Sequence, residues 1–539
     1  MSICPSPEQQ AAIDCTGNVV ITARPGSGKT FTLARMIARD SDKLLSYQGV
    51  IAISYTNKAS DELKVRCDRL GVERMCSFFG TIDKFCIGQI VGPFIAHLTG
   101  QKHELELMED EECPAWISLK GRDVYDPDLN SYIMSSLNSG KMPIGMLGPA
   151  ALLILDKVEQ ARKYIQARYT SVFIDEYQDC GLYQHQMLLR LVGYGLRGVA
   201  VGDIDQAIFR FTDKSPEYLS QLMKSDDFSL FEITKNHRCD RAIQAYSRAL
   251  LGVPVNPNSI GDRRVFAITI HGDEGAIAND IHAMLERIMM KYDVEGASKV
   301  AILGCSNATL NRIDSSLGLP SKRYASTPLD NGYSRWRRVF SDLLASYYEP
   351  GHFAGDILDS HLGPDAKPSK RNKGFALVNE FYGLGEDELA NNVDLAVRIA
   401  KLFEPDSERN DDIDAYEKTV SNKPLMQGGF RPAQQDEINI LTYHKAKGLE
   451  FDVVFCLETY QYIMPPTKYW KKDYDAYGQF LAMHYVGITR AKKACYILLG
   501  TKRHRKYNAE KDTLPSEFLG LYNLPSLRVN GSWPVFQIQ

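Results

Sequence analysis

Short apolar runs alternate with apolar positions at helical spacing, and the middle of each half of the chain breaks this rhythm. Asn18 to Ala23 is an apolar run ending at a glycine-rich turn, and Phe31, Leu33, Ala34 and Ile37 then recur on one helical face. Gly49 to Tyr55 is a second buried-strand run; Thr56 and Asn57 can cap the helix that follows, with Ala59 and Leu63 on one side of it. Strands alternating with helices predict a parallel sheet assembled from βαβ units. From Phe85 to Arg168 the pattern is mostly helical, and strand signals return at Ser171–Ile174, Gly198–Val201 and Phe228–Ile233. A second series begins near Lys299–Leu303, breaks off over a polar stretch 331–429, and resumes at Ile438–Tyr443, Asp452–Leu457 and Ala494–Leu499. Lys367 to Gly374, within the polar stretch, is expected to be an exposed loop. The reading is two αβ lobes, each carrying an inserted, mainly helical subdomain. Lobe 1 is 1–88 and 168–240 around an insertion at 89–167; lobe 2 is 241–330 and 430–539 around an insertion at 331–429. No fixed-period repeat and no low-complexity tract interrupts this plan.

A chain of 539 residues exceeds what one hydrophobic core serves. Its 44% apolar and 24% charged residues are ordinary for a globular protein, and its net charge of −4 excludes a globally basic nucleic-acid binder. Any nucleic-acid site must therefore be a local channel. The eleven cysteines form no CxxC pair and no cluster at zinc spacing, which points to reduced thiols. The N-terminus shows no signal-peptide pattern and no run of 18 apolar residues occurs, so a cytoplasmic location without a membrane span is expected.

The strongest chemical signal is Ala23-Arg24-Pro25-Gly26-Ser27-Gly28-Lys29-Thr30, after a strand and opening a helix, the context a P-loop requires. Gly26, Ser27 and Gly28 would let backbone N–H groups wrap phosphates at a helix N-terminus. Lys29 would reach the β- and γ-phosphates of ATP, and the Thr30 hydroxyl would bind Mg²⁺. The strict pattern has glycine at position 23, where this chain has Ala23. The second signal is Ser171-Val172-Phe173-Ile174-Asp175-Glu176, an apolar strand ending in two acids. Asp175 would hold Mg²⁺ through water, and Glu176 would orient and deprotonate the attacking water.

Asp175-Glu176-Tyr177-Gln178-Asp179 resembles motif II of the UvrD/Rep-like superfamily 1 helicases, and other stretches resemble that family's motifs in the same order. The resemblance implies an α/β fold of two RecA-like P-loop NTPase lobes. It makes Gln9 the reader of the adenine edge. It makes Tyr55, Thr56 and Asn57 single-strand contacts, with Thr81 after them, although the usual Phe-His after that threonine is missing. Gln206 would sense the γ-phosphate, and Phe209 and Phe211 would offer faces to stacked bases. Arg238 would touch the γ-phosphate, with His237 where the family usually stacks a tyrosine on adenine. Glu450 would bind ribose, Thr442 and His444 would face the strand, and Arg490 would be the arginine finger from lobe 2. Phe480 to His484 lack the acidic-Arg-Arg pattern common in the family.

The implied activity is an ATP-dependent helicase or translocase on single-stranded DNA, moving 3′ to 5′. The alternative is a DNA-sensing or partner-gated regulatory ATPase without robust unwinding. Nothing in the sequence reads a 2′-hydroxyl, so the preference for DNA over RNA comes from the family. Lys502–Tyr507 and Arg335–Arg338 are basic runs able to meet phosphates, and Glu109–Glu112 is expected to be a solvated acidic turn. About 50 residues follow Tyr485–Ala491, which resembles the family's motif VI, so no fused nuclease domain is expected. The compact plan resembles the helicase-like subunits of Gabija-type phage-defence systems, which pair with a separate nuclease; general DNA repair is the competing setting.

Overall fold

The computed structural model describes residues 4–24, 26–54, 57–73, 75–101, 105–203, 217–236, 238–330, 334–349, 353–362, 366–405, 407–466, 474–504, 509–531 and 533. Its frame is two all-parallel sheets flanked by helices, the architecture of two RecA-like lobes. The first sheet holds β1 (Val19–Ala23), β2 (Gly49–Ile53), β3 (Phe78–Gly80), β4 (Tyr169–Ile174), β5 (Arg197–Gly202) and β6 (Ser229–Ile233), in the order β3-β2-β4-β5-β1-β6. The second holds β7 (Val265–Ile270), β8 (Val300–Gly304), β9 (Ser321–Arg323), β10 (Ile438–Thr442), β11 (Phe451–Cys456), β12 (Ala491–Gly500) and β13 (Val529–Gly531), in the order β9-β10-β8-β11-β12-β7-β13. The central strands are apolar without alternation because helices cover both faces.

Two expectations needed correction. The second βα series starts at β7, some 30 residues earlier than the run at 299–303 suggests; Val265–Ile270 is an apolar strand beside β12. The stretch 367–374 is not a loop, because helix Pro368–Tyr382 runs through it. Pro368 occupies the first turn, where a missing N–H costs nothing, and Lys370, Arg371 and Lys373 are good helix formers on the wet side, while Gly374, Leu377, Val378 and Phe381 are buried.

Sequence 89–167 is mainly helical, and its core is continuous with one face of the first sheet. Leu147–Leu155 and Trp116 pack in the same apolar cluster as Val20, Ile51, Val172 and Ala200. The opposite face carries helices Pro7–Asp14, Lys29–Ser41 and Asn57–Arg69 around Leu33, Ile37 and Leu63. The helices between 335 and 430 enclose a separate core built on Trp336, Phe340, Phe381 and Tyr416. Arg335, Arg337 and Arg338 are paired there with Glu404, Asp412 and Asp342. Among the described residues no helix is long and apolar enough to cross a membrane.

Candidate nucleotide site between the lobes

β1 delivers the chain to the P-loop turn. Ala23 is the last strand residue, paired with Ile233 and 3% exposed, so its methyl packs in the core and takes no part in the turn. That is why alanine serves where the strict pattern has glycine. Gly26 and Gly28 have left-handed φ values of 75° and 84°. A Cβ on Gly26 would lie 2.4 Å from the Arg238 Cβ and 2.6 Å from the Asn236 Oδ1, and one on Gly28 would lie 2.6 Å from the Gln9 Nε2. The turn is a cradle that side chains would fill. Helix Lys29–Ser41 begins directly after Gly28, so Lys29 and Thr30 sit at its N-terminus, with Thr30 partly buried.

Gln9 lies against this turn. It is 3% exposed, accepts from the Ser6 N–H at 2.8 Å and donates to the Ser27 carbonyl at 2.9 Å. One amide proton and one oxygen lone pair remain for a base edge.

β4 brings the two acids in from the neighbouring position. The Asp175 N–H continues the ladder to the Ile53 carbonyl at 2.9 Å, and the Asp175 Oδ1 accepts from the Glu176 N–H at 2.8 Å. Glu176 takes a left-handed φ of 52°, a conformation that costs a non-glycine residue about 1–3 kcal/mol and collects at functional sites. This turn swings its carboxylate to the Lys29 Nζ at 3.4 Å. Burial and the adjacent Glu176 carboxylate push Asp175 above the usual carboxylate range. Burial also works against Glu176, but Lys29, Lys447 and the Gln178 amide outweigh it and hold Glu176 low. Lys29 is raised, because Glu176, Asp203 and Asp175 overcome the burial penalty. The Asp175 carboxylate at the end of β4 and the Thr30 hydroxyl at a helix start are hard oxygen donors of the kind that fit Mg²⁺. Asp175 and Thr30 are therefore the residues able to hold it.

Gln178 and Asp179 are functional candidates that residue reading passed over. Gln178 is 1% exposed; its Nε2 donates to the Glu176 Oε2 at 2.5 Å, and its Oε1 accepts from the Asp203 N–H at 2.8 Å. It wires the acidic turn to the end of β5. Asp179 forms a 2.5 Å ion pair with Lys447, on the loop after β10 in the other lobe. The acids and amides of Asp175–Asp179 carried the signal, but their partners lie far away in sequence.

Three further cations of the cleft, Arg238, Lys492 and Arg490, are engaged within the protein. Arg238 pairs with Glu450 at 2.6 Å, and Lys492 meets the other Glu450 oxygen at 2.7 Å. The residues assigned by resemblance to γ-phosphate and ribose thus meet each other here. Arg490 is 2% exposed, with Nε and Nη1 donating to the Val486 and Leu449 carbonyls, both at 3.1 Å, and Nη2 donating to the Thr489 hydroxyl at 3.2 Å. Burial, with Arg238 nearby, lowers it to about 10.

Of the expected strand contacts, Asn57 starts its helix after β2, Thr81 follows β3 directly, Thr442 ends β10, and His444 is exposed on the loop beyond. These are C-terminal strand ends, where parallel αβ sheets bind ligands. Tyr55, Thr56, Gln206, Phe209, Phe211 and His237 lie outside the described residues.

Residues 9–212 match the family model described as an AAA domain, and residues 369–502 match the UvrD-like helicase C-terminal domain. The chain is similar to the Gabija protein GajB of Bacillus cereus, 26% identical over 505 residues covering 91% of this chain and 94% of that protein. It is also similar to the ATP-dependent DNA helicase PcrA of Staphylococcus aureus, 22% identical, covering 95% of this chain and 85% of that protein. The PcrA of Staphylococcus epidermidis matches at the same identity. A P-loop lysine against a strand-end acidic pair, two parallel lobes meeting at that turn, and matches to both halves lead to one assignment: the chain carries a UvrD-like helicase C-terminal domain and is an ATP-hydrolysing enzyme similar to the UvrD-like helicases.

Proposed function

We propose that the chain hydrolyses ATP in the cleft between its lobes and uses the cycle to move on single-stranded DNA, 3′ to 5′. The observation that carries this reading is that Lys29 and Glu176 stand 3.4 Å apart on lobe 1, while Lys447 reaches the same turn from the lobe 2 loop that carries Thr442 and His444. The candidate hydrolytic turn and a candidate strand contact are thus joined through one ion pair.

In this reading the backbone of Gly26–Thr30 binds the triphosphate and Lys29 neutralises its β- and γ-oxygens. Thr30 and Asp175 hold Mg²⁺, which supplies charge neutralisation when bound. Glu176, kept ionised by Lys29, Lys447 and Gln178, takes the proton of the attacking water. Arg238, His237, Gln206 and Glu450 complete the nucleotide contacts. Arg238 then exchanges Glu450 for phosphate, so that nucleotide binding remakes the join between the lobes. Arg490 acts from lobe 2, contributing only when the cleft is closed. Tyr55, Thr56, Asn57, Thr81, Phe209, Phe211, Thr442 and His444 hold the strand, and opening and closing moves the two grips in turn. The segment boundaries at 88, 167, 240, 330 and 429 belong to the same proposal.

Similarity to the Gabija protein GajB over nearly the full length of both proteins supports a setting in phage defence beside a separate nuclease; general DNA repair is the competing setting. The test is the ATPase rate with single-stranded DNA, single-stranded RNA and duplex, beside Glu176→Gln. Stimulation by single-stranded DNA that the variant abolishes is expected. A rate indifferent to every nucleic acid would replace the motor with a partner-gated ATPase.

A further inference from the structure

The acidic turn after β4 and the loop after β10 are each internally braced. On the lobe 1 side, the Asp179 N–H bonds to the Glu176 carbonyl at 2.9 Å and the Cys180 N–H to the Tyr177 carbonyl at 3.0 Å. Tyr177 and Gln178 are buried, with the Tyr177 hydroxyl 2.9 Å from the His185 Nδ1. Asp179 cannot shift without the turn that presents Glu176. On the lobe 2 side, the Ala446 N–H bonds to the Thr442 carbonyl at 3.0 Å, the Lys447 N–H to the His444 carbonyl at 3.3 Å and the Leu449 N–H to the Ala446 carbonyl at 3.0 Å. The Lys445 Nζ ties the same loop to the Ala325 carbonyl at 2.7 Å. Lys447 therefore moves with Thr442 and His444.

What joins these two bodies is the Asp179–Lys447 pair, 268 positions apart in sequence and 2.5 Å apart in space, with side-chain exposures of 2% and 12%. The Asp179 Oδ1 is buried without a hydrogen-bond partner among the described residues, so the carboxylate depends on its lysine. A buried ion pair behaves as a unit: either partner alone is a stranded charge, while separation of the lobes returns both to water. Such a join is made or broken, with little between.

We propose that Asp179 and Lys447 are positioning residues that couple the hydrolytic turn to the strand-gripping loop, so that a displacement at Glu176 reaches Thr442 and His444 through one interlobe ion pair. This rests on the reading of the chain as a strand-stimulated ATPase. Gln178 branches from the same turn towards Asp203, so the acidic turn reports to lobe 1 through an amide and to lobe 2 through a charge.

The test compares wild-type protein, Asp179→Asn, Lys447→Gln, the double variant and Lys447→Arg. Readouts are ATP turnover with and without oligo(dT), oligo(dT) affinity by fluorescence anisotropy, and thermal melting. Each single neutral variant is expected to lower the oligo(dT) stimulation ratio by at least about fivefold, the size of an ordinary coupling between sites. The double variant is expected to be no worse than the singles, because both remove the same interaction. Lys447→Arg, which keeps the charge, is expected to retain most of the stimulation. Unchanged stimulation in Asp179→Asn and Lys447→Gln, or additive losses in the double variant, overturns the proposal. Should Asp179→Asn not fold, the comparison of Lys447→Gln with Lys447→Arg decides by the same criterion. Wild-type protein that oligo(dT) does not stimulate overturns the underlying reading before any variant is compared.

Discussion

Gly26→Ala puts one methyl group at the closest approach in the nucleotide site, and its cost follows from the geometry. The residue sits at φ 75°, so any side chain there is strained by about 1–3 kcal/mol. The new Cβ would stand 2.4 Å from the Arg238 Cβ, against about 3.5–4.0 Å for an ordinary carbon contact, so roughly 1 Å of separation has to be found. Asn236 cannot easily yield, since its Oδ1 accepts from the N–H groups of Arg238 at 2.7 Å and Cys239 at 3.0 Å. Losing both bonds costs about 0.5–1.5 kcal/mol each. The P-loop and Arg238 therefore move apart, at a combined cost of about 2–6 kcal/mol in the local structure. A displacement near 1 Å among catalytic groups lowers turnover by about 100-fold. Steady-state ATPase kinetics with a fluorescent ATP analogue for affinity measure this, and Gly17→Ala, where a Cβ meets nothing within 4 Å, is the control. Wild-type kcat/KM in Gly26→Ala would refute the argument that Arg238 and the P-loop must touch.

Glu176→Gln removes the base while keeping the shape of the turn, so ATP should bind with near-normal affinity and not turn over; retained turnover, measured by phosphate release, would assign the base elsewhere. Arg490→Ala should lower the stimulated rate by about 10³-fold or more if the guanidinium acts on the phosphates. It should also lower thermal stability, since Val486, Leu449 and Thr489 lose their donor; lost stability with a normal rate would make the residue structural. His484 is fully buried, and burial lowers it to about 3 from 6.5. Below pH 6.5 the unfolded chain takes up a proton that the folded one refuses, so stability falls as pH drops towards 3, by about 1.4 kcal/mol per pH unit. In His484→Phe that component should vanish from urea unfolding measured between pH 7 and about 5; an unchanged acid slope would place the sensitivity in other groups.

Local order was legible because it is written locally. Apolar runs at β1, β2, β4, β5, β8, β10, β11 and β12 have no other place to go than between helices, and the turn at Gly26–Gly28 and the acids at 175–176 need only the strand before them. β7 is not marked in the sequence although five of its six residues are apolar, because no turn chemistry or motif follows it. The charges of 367–374 suggest a loop, and the helix is marked only by the apolar positions 377, 378 and 381 beyond them.

The sequence by itself determined that two αβ lobes would form, that the first would end a strand in a phosphate cradle, and which acids would stand beside it. Only the tertiary structure decided what each of those groups touches. Arg238 meets Glu450, Gln178 meets the end of β5, Arg490 is held by carbonyls of its own lobe, and Asp179 finds Lys447 across the cleft. The physical reason is one of range. Propensity and periodicity act over a few residues. The charge and hydrogen-bond partners of a buried group are whatever the packing of distant strands brings within about 3 Å, and no spacing within the chain encodes that.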